Sequence, residues 1–241
     1  MSTGKGKTWK RYFIEFLMLF LAVTLGFVAD NYGESISERS KEKEYILSMI
    51  EDVKEDQNHI AQVITTNTKR SGELDLLIKA SFKGNFTTTE INQVYKYLFS
   101  LVRHPEFLTP TELTMQQLKN AGGMRLIKSK ESINEIIRYD SKAKEIANQQ
   151  MYYENYQNKA IDISTEIFNI QELILAIRNH PDFGDDNEFS LINDDQTKLK
   201  EFGNSVAMFK GIIEYYVRLL EEMDTQGEVL IQTLKKAYKL D

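Results

Sequence analysis

Apolar and polar positions split the chain into one solid hydrophobic block and a long remainder of helical period. The block is Tyr12 to Ala29, YFIEFLMLFLAVTLGFVA. About 18 residues at roughly 1.5 Å rise reach about 27 Å, enough with help from the flanks to cross a hydrocarbon core of about 30 Å. Beyond it, Ile46, Ile50, Val53, Ile60, Ile64, Leu74 and Ile78 recur at three- and four-residue steps, with polar Gln57, Asn67 and Ser71 in the same rows. Run backwards, that register meets Ile36, Ala29, Ala22 and Glu15, so the membrane helix is expected to continue into a stalk, with Gly33 a candidate bend.

Punctuation then sets out the remaining elements. Lys83-Gly84-Asn85 is turn chemistry that ends the first helix. Thr87 with Glu90 makes a capping box, opening a short helix through Val94, Tyr97, Leu98 and Leu101 that His104-Pro105 stops. Thr109-Pro110-Thr111-Glu112 reads as a second capping box with Pro at the first helical position. Its helix, carrying Leu113, Met115 and Leu118, ends at Gly122-Gly123. A single long helix is expected from Ser129 to Arg178 on Ile133, Ile136, Ile137, Ile146, Tyr153, Ile163, Ile167, Ile170, Ile174 and Ile177. Asn193 and Gln196 are expected to cap the last helix, which runs on Leu199, Phe202, Val206, Phe209, Ile213, Tyr216, Leu220, Met223, Leu230 and Leu234. No stretch alternates convincingly enough for a strand.

These elements predict an all-α fold: a single N-terminal transmembrane helix continuing into an elongated antiparallel helical bundle. The division is residues 1–11 as a basic N-terminus, 12–29 as the span and 30–241 as the bundle. Only 3 Pro and 12 Gly in 241 residues suit long helices, and 41% hydrophobic residues supply a core.

Charge gives the anchor a direction. Lys5, Lys7, Lys10 and Arg11 precede the span, whereas Asp30, Glu34 and Glu38 follow it before any basic residue. The positive-inside rule places the N-terminus in the cytoplasm and the bundle outside, in the periplasm of a bacterial inner-membrane protein. Trp9, Arg11, Tyr12 and Tyr32 are the expected interface anchors. A cleaved signal peptide is the main alternative, but Phe27-Val28-Ala29 puts a bulky side chain where cleavage wants a small one. The first 29 residues carry four basic groups against Glu15, so removing them takes the whole-chain charge from −6 to −9. An acidic body repels nucleic acid, which argues against DNA or RNA as partner.

Within the span, Glu15, Ala22 and Ala29 share one stripe with Gly26 beside it. Small residues at Ala22 and Gly26 let two helices approach, so this stripe is the candidate packing face. Glu15 lies one turn from Arg11, and an interfacial pair is the plainer reading than a proton or ion pathway.

Candidate chemistry is thin. Gly6-Lys7-Thr8 lacks the upstream Gly and strand of a phosphate loop. The absence of Cys excludes disulfides and thiolate sites. Arg103-His104-Pro105-Glu106-Phe107 is echoed by Arg178-Asn179-His180-Pro181-Asp182-Phe183; similar stop signals explain this better than a duplication. His104, Glu106, His180 and Asp182 would be a zinc set only if those corners met, and ordinary helix stops are the preferred reading. The acidic run at Gly184, Asp185, Asp186, Asn187 and Glu188 lacks calcium-loop spacing. No cofactor, metal, small-molecule substrate or catalytic residue is assigned, and no enzyme is expected.

Two segments resemble a known family. Arg11-Tyr12-Phe13, Glu15, the apolar span and Asp30-Asn31-Tyr32-Gly33-Glu34, together with Leu113–Asp140 (LTMQQLKNAGGMRLIKSKESINEIIRYD), are similar to an uncharacterised family of small membrane-anchored helical proteins of Bacteroidota. Tyr32 stands where that family's Trp is expected, and the C-terminal third is less alike. The resemblance implies a single-pass helical protein and carries over no catalytic residue. The expected function is a membrane-anchored scaffold or accessory subunit of an envelope complex, working as a homo-oligomer or with other envelope proteins. The alternatives are a channel or transport subunit using Glu15, a periplasmic sensor and, last, a hydrolase using His104 or His180.

Overall fold

The computed structural model describes residues 5–120, 122–179 and 189–240, apart from the side chains of residues 5–8 and 179. The fold is all-α: 86% of the residues are helical and no strand forms among those described. The elements are α1 (Lys5–Lys83), α2 (Thr88–Val102), α3 (Leu113–Asn120), a 3₁₀ turn (Gly123–Leu126), α4 (Lys130–Thr165), α5 (Ile170–Asn179) and α6 (Gln196–Tyr238). At 1.5 Å per residue α1 is about 118 Å long, α6 about 65 Å and α4 about 54 Å.

The chain makes four passes along one axis. α1 ascends. α2, the following loop, α3 and the 3₁₀ turn form a broken descending leg, whose Ser100, Thr111 and Lys128 meet Glu73, Asp56 and Glu42 of α1 in turn. α4 ascends parallel to α1, so Tyr139 meets Asp56 and Tyr153 meets Asn67. α6 descends against both. It contacts α1 from Phe82 beside Gly203 down to Glu42 beside Tyr238, and α4 through Lys142–Glu222 and Gln226–Glu135.

A three-four row on α1 explains why this helix sits at the centre. Ile46, Met49, Val53, Ile60, Val63, Leu74 and Leu77 are all buried, and Asp56, Asn67 and Arg70 occupy the intervening steps of the same row. The expected row holds at Ile46, Ile50, Val53, Ile60 and Leu74, which are buried, and departs at two steps. Ile64 and Ile78 flank the core, while Met49, Val63 and Leu77 fill it. Glu42 is the first buried residue of α1 among those described, and residues 9–34 below it are all exposed. Gly33 does not interrupt it.

The α6 pattern holds throughout: each expected apolar position from Leu199 to Leu234 is buried. The gap between Met223 and Leu230 is Gly227, where an added Cβ would lie 3.0 Å from Val53 Cγ1. The absent side chain lets α1 and α6 close.

Local capping holds in part. Thr87 and Glu90 form the reciprocal box, and Ser129 caps α4 by accepting from Ser132 N–H. Lys83 also pairs with Glu90, and with the Thr87 contacts this holds the Glu90 carboxyl down at about 2. Asp195, not the Asn193–Gln196 pair, caps α6, accepting from Thr197 and Lys198 N–H. The Thr109 box does not form: α3 starts at Leu113, because Thr111 and Thr114 N–H donate instead to Asp56 and Asp52 of α1.

The expected single helix from Ser129 to Arg178 is two. It breaks at Thr165 and resumes at Ile170, with Phe168 buried between and Asn169 bonded to Glu172 in the new first turn. Ile192 N–H reaches back to Ile167 O at 2.8 Å, and Asn169 N–H donates to the Tyr95 hydroxyl at 2.7 Å. Those long-range partners replace the lost helical bonds. Ile137, whose neighbour Ile136 takes the core position, and Ile174 of α5, both placed in the apolar row by spacing, are half exposed.

Candidate functional site

The apolar part of α1 is long and apolar enough to cross a membrane, and none of it is buried within the molecule. A core helix of a water-soluble domain would be covered, so this exposure argues against that reading; an N-terminal signal segment would be uncovered in the same way. Trp9 stacks on Phe13 and Phe16 on Phe20, covering the helix with aromatic surface. The Thr24 hydroxyl donates back to Phe20 O at 2.7 Å, which satisfies a polar group where lipid would not.

Each sequence-level site residue has a definite place on this rod. Arg11 Nε lies 3.2 Å from Glu15 Oε1, one turn apart and both solvent-facing. Trp9, Tyr12 and Tyr32 are exposed. Ala22, Gly26 and Ala29 are exposed too, and a Cβ added at Gly26 would meet open space.

A second feature lies inside the bundle. Where the descending leg leaves helical geometry after Val102, its backbone groups lose their intrahelical partners and are taken up by side chains of the other three passes. Arg70 Nε donates to Ser100 O at 2.7 Å, and its Nη2 to Leu101 O at 3.2 Å and Arg103 O at 2.5 Å. Gln157 donates to Leu101 O and Arg103 O, and Asn67 to Glu106 O. The Tyr216 hydroxyl accepts from Leu108 N–H, and Gln150 donates to Leu108 O. The buried row thus stitches an extended segment into a helical core, and every one of these contacts is structural.

Arg70 is 1% exposed and forms no ion pair among the described residues. Burial pulls its pKa below the ordinary guanidinium value, and the Tyr153 hydroxyl at 3.0 Å opposes that. Its charge is met by the carbonyl end of α2 and by the faces of Tyr153 and Phe209, 5.7 and 5.6 Å away. Asp56 is 2% exposed; its oxygens accept from Thr111 N–H at 2.7 Å and the Tyr139 hydroxyl at 2.8 Å. Burial raises its pKa above the ordinary aspartate value despite those bonds, and Asp52 adds to the rise.

Of the two His-Pro corners only the first lies among the described residues. His104 Nδ1 lies 2.8 Å from Pro105 O, and no group of three His, Cys, Asp or Glu among the described residues is placed to hold a metal. His180, Asp182 and the acidic run from Gly184 to Glu188 lie outside the described residues. A narrow groove of about 150 Å³ opens between Met49, Met115, Tyr139 and Ala147, and a wider polar cleft sits at the far end beside Asn85, Thr87 and Asp194.

Arg70, Asp56 and Asp52 were not legible as a set. The available signal was charge at Asp56 and Arg70 on the three-four row of α1 that is otherwise mostly apolar; Asp52 lies off that row and carried no such signal. No protein-family model, curated protein or solved structure matches this chain.

Proposed function

We propose that this chain is a single-pass, membrane-anchored scaffold or accessory subunit of an envelope protein complex, acting through protein contacts rather than catalysis. One observation carries this reading: α1 runs unbroken from an uncovered apolar segment into the centre of a bundle built around it. A span joined to its domain by the same rigid helix holds that domain at a fixed place over the bilayer.

In this reading the N-terminus lies in the cytoplasm and residues 30–241 in the periplasm of a bacterial inner membrane, in keeping with the basic residues before the span and the family resemblance. Ala22, Gly26 and Ala29 form the face on which spans associate, in a homo-oligomer or with another envelope protein. The Arg11–Glu15 pair supports an interfacial ion pair over a carboxylate facing a transport path.

Crosslinking in native membranes is the test. Recovery of a homo-oligomer or a defined membrane neighbour is expected; recovery of monomer alone would remove the proposal. Protease added from the outer side of the inner membrane should digest the bundle and spare residues 1–11.

A further inference from the structure

The end of the bundle nearest the span is basic, although the body as a whole is acidic. Two turns come down to that end, residues 125–131 and 235–240. They carry Arg125, Lys128, Lys130, Lys235, Lys236 and Lys239 against Glu131, and the stretch of α1 at and below their level adds Arg39, Lys41 and Lys43 against Asp30, Glu34, Glu38, Glu42 and Glu44, so cations still outnumber carboxylates there. Higher up, cations are spent in ion pairs, as in Lys119–Asp140, Lys142–Glu222 and Lys198–Glu166.

The basic end is also shaped. Arg39 and Lys43 of α1 and Lys128 of the incoming turn line one open cleft of about 400 Å³, with Ser129, Ala237 and Tyr238. All three cationic side chains are exposed, and none pairs with a described residue. The cleft does hold one carboxylate, Glu42. That group is 6% exposed and turned inward: its Oε1 accepts from Lys128 N–H at 2.8 Å and from the Tyr238 hydroxyl at 2.5 Å. Its charge is engaged by the fold, while the three cations face outward.

From Ala29 to Glu42 the helix rises about 20 Å. The headgroup layer takes up about 5–8 Å of that. Glu42 at the upper lip of the cleft therefore stands about 12–15 Å above the headgroup surface, and Arg39, one turn lower, about 7–10 Å, near one Debye length of about 8 Å at physiological salt. We infer that Arg39, Lys43 and Lys128 form a docking site for the phosphates of anionic phospholipids in the same bilayer that holds the span. The site rests on the membrane-anchor reading. It adds a second, electrostatic contact that holds the base of the bundle against the lipid.

The chain has no Cys, so S40C gives a unique fluorophore position beside the cleft without lining it. The full-length labelled chain is reconstituted in vesicles of phosphatidylcholine, with or without phosphatidylglycerol, each doped with a headgroup-nitroxide lipid. Stronger quenching is expected with phosphatidylglycerol, lost in high salt and lost in the Arg39→Gln/Lys43→Gln/Lys128→Gln variant. Equal quenching in the two vesicles, or a rise that survives the triple substitution, overturns the docking site while co-flotation leaves the anchor standing. Failure of the chain to co-float with either vesicle overturns anchor and docking site together. Binding of inorganic phosphate by the detergent-extracted protein, lost in the triple variant and matched by no lipid dependence, would make the ligand a soluble anion and overturn the lipid assignment.

Discussion

Arg70 on α1 donates to the hydroxyl of Tyr153 on α4 at 3.0 Å, and Tyr153 in turn donates to Asn67 at 2.7 Å, one turn back on α1. The pair joins two parallel helices around the point where α2 ends. Arg70→Leu would leave the Ser100 carbonyl without this side-chain donor and strip one donor from Leu101 and Arg103. A loss on the order of 3 kcal/mol is expected from unfolding followed by circular dichroism in detergent. Arg70→Lys should recover little of it, because an ammonium cannot reproduce the fork that spans these carbonyls. Full recovery by Lys would show that charge alone matters here.

Asp56 sets a pH dependence of unusual sign for a carboxylate. Its folded pKa is raised by burial, with Asp52 adding to the rise and the Thr111 and Tyr139 bonds opposing it. The folded state therefore holds the proton more tightly than the unfolded chain. Its contribution is fully present below the ordinary aspartate value, near 3.8, and is lost as pH rises through the raised folded value. Asp56→Asn keeps an acceptor and removes the charge. At pH 7 it should lie within about 1 kcal/mol of the parent, whereas Asp56→Ala, leaving Thr111 N–H and the Tyr139 hydroxyl unpaired, should lose about 2–4 kcal/mol. Unfolding series from pH 4 to pH 7 should show the parent gaining on Asp56→Asn as pH falls. A constant difference would count against a raised pKa.

Gly227 marks one of two close approaches of α6 to α1, the other being Gly203. Gly227→Val would press a branched side chain against Val53 and the Tyr139 ring, whose atoms lie 3.0 and 3.4 Å from an added Cβ. Overpacking of that kind should lower stability by about 1–3 kcal/mol, outweighing the better helix propensity. Gly211, where an added Cβ meets nothing within 4 Å, is the control, and Gly211→Ala should be neutral or stabilising. Denaturant midpoints of the two variants, compared directly, decide it.

Glu15→Gln tests the role of the carboxylate in the apolar segment of α1. With Arg11 as its partner, Glu15 should be replaceable with no change in membrane insertion or in the oligomer recovered by crosslinking. Loss of an ion-dependent activity with assembly intact would instead favour the channel reading.

Much of the fold was legible where a local rule acts alone. Thr87 and Glu90 cap α2 because both partners lie within four residues, and the α6 row is buried from Leu199 to Leu234 because one face of one helix decides it. Legibility failed where the deciding partner is distant in sequence. The apolar steps Ile163, Ile167 and Ile170 pass straight through the break after Thr165, and only Tyr95 and Ile192 make that break tolerable. Thr109 has the pattern of a cap, yet Asp56 and Asp52, more than fifty residues earlier, claim the Thr111 and Thr114 donors. The uncovered apolar segment was plain from composition, while the basic cleft of Arg39, Lys43 and Lys128 exists only once the turn at residue 128 is folded back beside α1.

The uninterrupted α1 makes the molecule a lever. From Ala29 to Lys83 it extends about 81 Å. A lean of about 20° from the bilayer normal, ordinary for a spanning helix, would swing the top of the bundle sideways by about 28 Å. With no hinge in α1 to absorb it, a change in bilayer thickness that alters the lean becomes a large displacement at the tip. Under the proposed anchoring, a partner held there would register the state of the lipid from a distance.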